Sequence, residues 1–324
     1  MANIFLTGGA GFVGAHVCKA LLAQGHQVGV FDQFVNYVYP LDRVHVDNLT
    51  QRMLAIKDRV TIFRGSTRDQ DNLRRSLQSF KPNYIIHLAA MPLANLAVEH
   101  PEEAVDAILS GTINVLHQAR DLPDLKRLVY VSSSMVYGDF VRVPVREDDP
   151  KDPKEVYGSL KLGGELMVRS FGRLYGIEYS IVRPSAVYGP TDNNRRVLGI
   201  FLERALKGQP LTVKGVNQAL DFTFVEDAAR GIVCATLHDK ARGGTYNITR
   251  GEGRTIREAA DIVAKLIPGT TIEIEEADAR MPSRGELDIS RARQEIGFEP
   301  KVSLEDGLAI YLDYLSNQRQ RGVW

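Results

Sequence analysis

The chain has 324 residues with 40 Lys plus Arg against 40 Asp plus Glu, long enough to bury a full core in one large domain or two modest ones. The balanced charge gives no global field that would favour nucleic acid or an acidic membrane, and no apolar run approaches membrane-spanning length. The two cysteines, Cys18 and Cys234, lie in helical apolar patterns and read as buried thiols of a reducing compartment. No signal sequence precedes the first strand, so a cytoplasmic protein is expected. The seven histidines are scattered without ligand spacing, so no metal site is expected.

The first element is a short apolar strand ending at Leu6-Thr7 and running into Gly8-Gly9-Ala10-Gly11-Phe12-Val13-Gly14. A helical pattern carrying Val17, Leu21 and Leu22 follows at once. Gly9, Gly11 and Gly14 satisfy G-x-G-x-x-G, and Gly8, Gly11 and Gly14 satisfy the wider G-x-x-G-x-x-G. Glycine suits this place because the turn is tight and the backbone must approach a pyrophosphate closely. The helix start then offers free N–H groups and its positive dipole end to the phosphates. Asp32 closes the second strand, Gln27 to Phe31. A carboxylate there accepts from the adenosine ribose hydroxyls and repels a 2′-phosphate, so NAD is favoured over NADP. The alternative is a surface aspartate at a strand end; the glycines before it weigh against that.

Apolar strands at 60–63, 84–88, 128–131 and 179–182 alternate with helical stretches near 14–24, 70–79, 101–120 and 155–175. Continuous apolar strands joined by helices imply a parallel sheet covered on both faces, and the right-handed crossover makes it a doubly wound Rossmann sheet. After Arg183-Pro184 the pattern changes. A loop at 190–194 precedes a helix over 196–207, and short strands are expected at 211–213 and 271–274. A helix over 226–238 leads to a strand at 245–248 that returns to the large sheet. The expected architecture is therefore α/β with a smaller, discontinuous substrate-binding domain. A cofactor domain spans 1–183 and about 220–250; the substrate domain spans about 184–219 and 251–324. The second domain would wall a cleft at the carboxyl edge of the strands, where ligands bind in open α/β sheets.

The chemistry is carried by Tyr157-Gly158-Ser159-Leu160-Lys161 and by the serine strand end Ser132-Ser133-Ser134-Met135. Residues four apart share a helix face, and an ammonium beside a phenol favours phenolate. Such a pair can move a proton at a substrate hydroxyl while a nicotinamide exchanges hydride. A serine emerging from a buried strand can donate to a substrate oxygen whose charge changes. The bland readings are a solvated helix face and serines that cap backbone groups.

These motifs together make the chain resemble the extended short-chain dehydrogenase/reductases, specifically the NAD-dependent epimerase/dehydratase family acting on nucleotide sugars. The resemblance covers essentially the whole length. It takes in Thr7 to Gly14, Asp32, His87-Leu88-Ala89-Ala90, the serine strand, and Tyr157 with Lys161. It continues through Arg183 to Pro190, Asp221 to Asp227, Asp288 to Ala292, and Gly297 to Pro300. It implies Ser133 as the catalytic hydroxyl, Tyr157 as acid/base, and Lys161 on the nicotinamide ribose. It also implies Gly8, Gly11, Phe12 and Val13 along the pyrophosphate, Asp32 on the ribose, and Leu88, Ala89 and Ala90 beneath the cofactor. Ser66 and Thr67 stand where the family usually has an Asp-Ile pair at the adenine.

Sugar 4,6-dehydratases usually carry a glutamate in the two positions after the catalytic hydroxyl. Those positions are Ser134 and Met135 here, and neither can serve as the acid or base that elimination requires. What remains is transient oxidation to a 4-keto-sugar and return of hydride to the other face, a 4-epimerisation. UDP-hexoses and UDP-hexuronates are the expected substrates. The alternatives are a net keto-sugar reductase or dehydrogenase, and a cofactor-binding regulator without chemistry. The family's usual substrate contacts are altered: Ile108, Ala186 and Leu220 replace an asparagine, a second asparagine and an arginine. Substrate phosphates are then expected to meet Arg195 and Arg196, or Arg280 and Arg284, whose guanidinium forks match phosphate geometry. Ordinary surface charge is the competing reading for each. Ser133, Ser134 and Tyr157 complete the expected substrate contacts. The helices at 101–120 and 155–175 carry Ala107, Leu109, Val168 and Leu174 as exposed-looking apolar positions; the resemblance implies a homodimer in which these helices pair with their copies, and the alternative is that these residues face the sheet.

Overall fold

A computed structural model of the chain describes residues 1–35, 42–276 and 282–324. Its strands are β1 (Asn3–Thr7), β2 (Gln27–Asp32), β3 (Val60–Arg64), β4 (Tyr84–His87), β5 (Arg127–Val131), β6 (Tyr179–Pro184), β7 (Val187–Tyr188), β8 (Leu211–Lys214), β9 (Ala219–Asp221), β10 (Thr223–Phe224), β11 (Thr245–Ile248), β12 (Gly253–Thr255) and β13 (Ile272–Glu275). Seven of them form one sheet in the order β11-β6-β5-β4-β1-β2-β3. Every pairing within it is parallel. Its interior strands are buried along nearly their whole length, as a sheet covered on both faces requires. The doubly wound sheet expected from the sequence is present, and 245–248 does return to it beside β6.

The helices are α1 (Phe12–Ala23), α2 (Arg43–Leu54), α3 (Gln70–Phe80), α4 (Ala94–Glu99), α5 (Pro101–Ala104), α6 (Gly111–Ala119), α7 (Val156–Tyr175), α8 (Val197–Leu206), α9 (Val225–Leu237), α10 (Ile256–Leu266), α11 (Ser290–Ile296) and α12 (Leu304–Gln320). One face of the sheet packs Val17, Leu21, Ile232 and Phe298 from α1, α9 and the end of α11. The other packs Leu73, Leu77, Val115, Leu116 and Val168 from α3, α6 and α7. A separate apolar core joins α8, α10 and α12 through Leu198, Phe201, Leu202, Ile256, Val263, Leu308 and Tyr311. Segment 251–324 is thus split, α11 packing beneath the sheet while α10 and α12 build the second core.

Three expectations change. The single helix over 101–120 is broken: Pro101 opens α5, a π-helical stretch covers Val105–Ser110, and α6 begins at Gly111. Gly111 is needed there, because a Cβ would fall 2.6 Å from Thr67 Oγ1. Val168 is 1% exposed and belongs to the core rather than to a free face. Its spacing on α7 turns it to the sheet. Ala107 and Leu109 are half-buried, and Leu174 is exposed at 72%. Cys18 is buried as expected, whereas Cys234 is half-buried. Among the described residues no helix is long and apolar enough to cross a membrane.

Candidate active site

A cleft of about 2170 Å³ opens along the carboxyl edge of the sheet and is walled on its far side by residues of α8 and β8. Its cofactor end is made largely of backbone. Gly8 sits at φ +76°, and a Cβ there would lie 2.8 Å from Ala89 N. A Cβ on Gly14 would run into Gly8 O. These glycines let the β1–α1 turn close against the strand end after β4, which brings Leu88, Ala89 and Ala90 into the same cleft as Gly8, Gly11, Phe12 and Val13. Gly11 is the N-cap of α1 and no side chain caps the helix, so its first N–H groups are left for a ligand. The close turn with the uncapped N–H groups at the start of α1 beside it suits a pyrophosphate.

Asp32 ends β2 at the same edge. Its carboxylate accepts from Ala10 N (2.9 Å) and Phe34 N (2.8 Å). Burial pushes its pKa up, while those two N–H donors and the Arg52 charge pull it down. Arg52 carries no sequence signal, standing on the polar helix α2. It is 8% exposed, and it donates from Nε to Ala10 O (3.0 Å) and from Nη1 to Thr191 O (2.6 Å). It therefore ties the glycine turn to the loop after β7. Ser66 and Thr67 also line the cleft, with Thr67 O held by Asn114 Nδ2 at 3.0 Å.

At the middle of the cleft α7 meets the end of β5. Ser133 is the N-cap of a 3₁₀ turn, Ser134–Tyr137, and its Oγ accepts from Met135 N at 3.2 Å. Gly158 allows α7 to approach closely, since a Cβ there would be 2.7 Å from Met135 O. The result sets the Tyr157 hydroxyl beside Ser133. Burial raises the Tyr157 phenol above its usual range; the Arg196 charge and the Ser133 contact oppose it. Lys161 is buried one turn on, donating to Val131 O at 2.8 Å, with its Nζ 5.9 Å from the Tyr157 ring centre. Burial lowers Lys161 to about 8, and the Glu165 charge acts against that fall.

Glu165, one further turn along α7, is locked. It accepts from Arg183 Nε (2.8 Å) and Nη2 (2.7 Å), and from Ser132 Oγ (2.7 Å). Arg183 and Glu165 are each 1% exposed. Arg183 also donates to Tyr137 Oη (2.8 Å) and Glu147 O (3.0 Å). This buried network joins β5, β6 and α7 behind Ser133, Tyr157 and Lys161. Sequence reasoning missed Glu165, although its place eight residues after Tyr157 puts it on the same helix face as Lys161.

Toward α8 the arginines separate. Arg196 lines the cleft, with Nη1 donating to Val187 O at 2.8 Å. Arg195 does not line it. Its backbone adopts φ +46°, and its side chain pairs with Asp42 at 2.9 Å on the outer surface. In this structure the Arg195 side chain is therefore turned away from the cleft, where the expectation had placed it, and its charge is paired with Asp42. Arg280 lies outside the described residues. Arg284 lines the cleft against Met135, Nη1 to Sδ 3.2 Å. Ala186 and Leu220 line the wall as apolar groups, and Glu155 lines it just before Tyr157. No sequence signal marks Glu155, since an acid at a helix start is usual.

The sequence profile of the NAD dependent epimerase/dehydratase family matches residues 4–249. A putative UDP-glucose 4-epimerase of Methanocaldococcus jannaschii is 30% identical, covering 98% of this chain and 99% of that one. Among solved structures, a UDP-glucuronic acid 4-epimerase from Bacillus cereus, in complex with UDP-glucuronic acid and NAD, has a TM-score of 0.88 at 28% identity, over 97% of this chain and 99% of the other. A UDP-glucose 4-epimerase from Thermotoga maritima with UDP-glucose has a TM-score of 0.87 at 26% identity, over 98% of this chain and 99% of the other. With the profile spanning most of the chain and the glycine cradle, Asp32, Tyr157 and Lys161 gathered in one cleft, this protein belongs to the NAD dependent epimerase/dehydratase family.

Proposed function

We propose that the protein is a 4-epimerase of a nucleotide sugar, with a UDP-hexose or UDP-hexuronate as substrate. The observation that carries this reading is the Tyr157–Ser133 hydroxyl pair with Lys161 one turn away, facing the same cleft as the glycine cradle. The names of the relatives support the substrate class. NAD, when bound, supplies a reversible hydride acceptor. Gly8, Gly11, Phe12 and Val13 would hold its pyrophosphate, Asp32 its ribose, and Ser66 and Thr67 its adenine end. Leu88, Ala89 and Ala90 would run beneath it. Tyr157 takes the proton of the sugar hydroxyl as the carbonyl forms and returns it at the end of the cycle. Ser133 donates to the same oxygen while its charge changes, and the Lys161 ammonium favours the phenolate of Tyr157. Ser134 flanks the sugar and Arg196 meets the diphosphate. Since Ser134 and Met135 stand after Ser133, the turn there supplies no acid or base for elimination.

The sheet-side part would carry the cofactor and the α8–α10–α12 part the nucleotide sugar. Exposed apolar groups on α7, Leu166 at 56% and Leu174 at 72%, support a homodimer formed through that helix. The two unpaired thiols support a cytoplasmic setting. Incubation of the purified protein with a panel of nucleotide sugars, without added nicotinamide, tests the function. A sugar inverted at C4 by NMR is the expected product. Consumption of added NADH in step with turnover would replace this reading with a net reductase.

A further inference from the structure

Two charged side chains that line the cleft carry buried polar atoms without a partner. Glu155 is the N-cap residue of α7, yet its carboxylate does not cap the helix. Its Oε2 is buried with no hydrogen-bond partner. Arg284 arrives from a different part of the chain, and its Nε is likewise buried without a partner. Each feels the other's charge, but they do not satisfy each other's orphaned atoms. Both line the cleft. They flank the reacting groups: Glu155 lies two residues before Tyr157, and Arg284 touches Met135, whose N–H is held by Ser133 Oγ.

Buried polar atoms without partners are costly, and in a cleft a ligand can complete them. Across the cleft, Ala186 and Leu220 offer a sugar no polar group of their own side chains. We propose that Glu155 and Arg284 together grip the C6 hydroxyl of the sugar, so that the protein takes a nucleotide-linked neutral hexose in preference to a hexuronate. This rests on the epimerase reading given above. A hydroxyl is the group that suits both partners at once, donating to the carboxylate and accepting from the guanidinium. A uronate carboxylate could accept from Arg284, but it would then stand beside the like charge of Glu155 in a partly buried site. Arg284 accordingly belongs to the sugar rather than to the diphosphate, which falls to Arg196.

The test uses the NAD-loaded Tyr157→Phe protein, in which turnover is blocked, and measures calorimetric dissociation constants for UDP, UDP-glucose and UDP-glucuronate. UDP-glucose should bind at least about tenfold more tightly than UDP-glucuronate, since a charge-assisted hydrogen bond to the one stands against a like-charge repulsion of the other. Added Glu155→Gln should narrow that gap about tenfold, mainly by strengthening glucuronate. Added Arg284→Gln should weaken UDP-glucose about tenfold to a hundredfold while leaving UDP unchanged, and the retained UDP binding also shows that the variant is folded. Tighter binding of UDP-glucuronate by the Tyr157→Phe protein overturns the proposal. So does a loss of UDP affinity with Arg284→Gln equal to that of UDP-glucose, which would make Arg284 a phosphate ligand. Absence of binding by all three ligands overturns it as well. Turnover by the unsubstituted enzyme separates the two readings. Inversion of UDP-glucuronate ahead of UDP-glucose removes this inference and keeps the epimerase; ordered binding without inversion of either sugar does the reverse.

Discussion

The two ends of the cleft are built of different material. The cofactor end is backbone: glycines where a Cβ would collide, an uncapped helix start, and a carboxylate held by two N–H groups. The end proposed for the sugar is side chain: Arg196, Glu155 and Arg284 line the cleft from three distant segments, together with apolar residues such as Ala186 and Leu220. Between them stands Tyr157, the one group that must serve both. A backbone site recognises shape and phosphate, which every nicotinamide dinucleotide shares. A side-chain site recognises the pattern of hydroxyls and charge that differs between sugars.

If that division holds, damage at the junction should be the most severe. Tyr157→Phe keeps the ring and its packing but removes the proton carrier, so kcat should fall about a hundredfold to ten-thousandfold. NAD should remain bound, read by its absorbance in the purified protein. Retained activity would remove Tyr157 from the mechanism. Gly14→Ala tests the backbone end. Its Cβ meets Gly8 O and comes within 2.8 Å of Gly9 Cα, neither of which is a flexible side chain. The variant should be purified with little NAD and show activity lowered by more than about tenfold, partly restored by saturating NAD. Full NAD content in that variant would break the assignment of the cradle.

The junction also sets a pH limit. Burial holds Lys161 at about 8, below the ordinary lysine range, with Glu165 opposing the fall. The ammonium is the form that favours phenolate at Tyr157. Activity should therefore be full with respect to Lys161 below about 8 and decline as pH rises through that value. Lys161→Arg, which stays charged, should move that decline well up in pH. Glu165→Gln removes the charge that raises Lys161, so the decline should move to lower pH by about one unit. The same substitution leaves the Arg183 guanidinium buried without its carboxylate, a loss of about 3–5 kcal/mol. The double variant Glu165→Gln/Arg183→Met should recover much of that stability while keeping the shifted pH profile. A profile that returns with stability would mean that Glu165 acts only through packing.

The same contrast explains what the sequence could disclose. The seven-stranded sheet, the glycine turn and Asp32 were legible because backbone geometry writes itself as local pattern: apolar runs, glycine spacing and an acid one strand later. Tyr157 and Lys161 were legible because both lie on one helix face. The break at Val105–Ser110 was not, since no local residue pattern marks it and Gly111, where α6 begins, lies close against Thr67 from another part of the chain. Nor was the inward turn of Val168, because an apolar residue on a long helix fits either face until the sheet is in place. Arg52 and Glu155 gave no sign, being ordinary charged residues on helices until the fold aims them at the cleft.

The finest test of the comparison is the pair Arg195 and Arg196. As sequence they are indistinguishable, two guanidinium groups side by side in one loop. In the fold, the left-handed backbone at Arg195 sends its side chain to Asp42 at the surface, while Arg196 lines the cleft and its charge reaches Tyr157. Arg196→Gln should raise KM for the nucleotide sugar about tenfold, the weight of one charge-assisted contact to a phosphate. It should also lift the pH at which Tyr157 ionises, since the cation that lowers it is gone. Arg195→Gln removes only an exposed ion pair, worth at most about 1 kcal/mol of stability, and should leave KM within about twofold. Equal effects at the two positions would mean that the loop turns over when substrate arrives, and that the sugar end is assembled by the ligand rather than preformed.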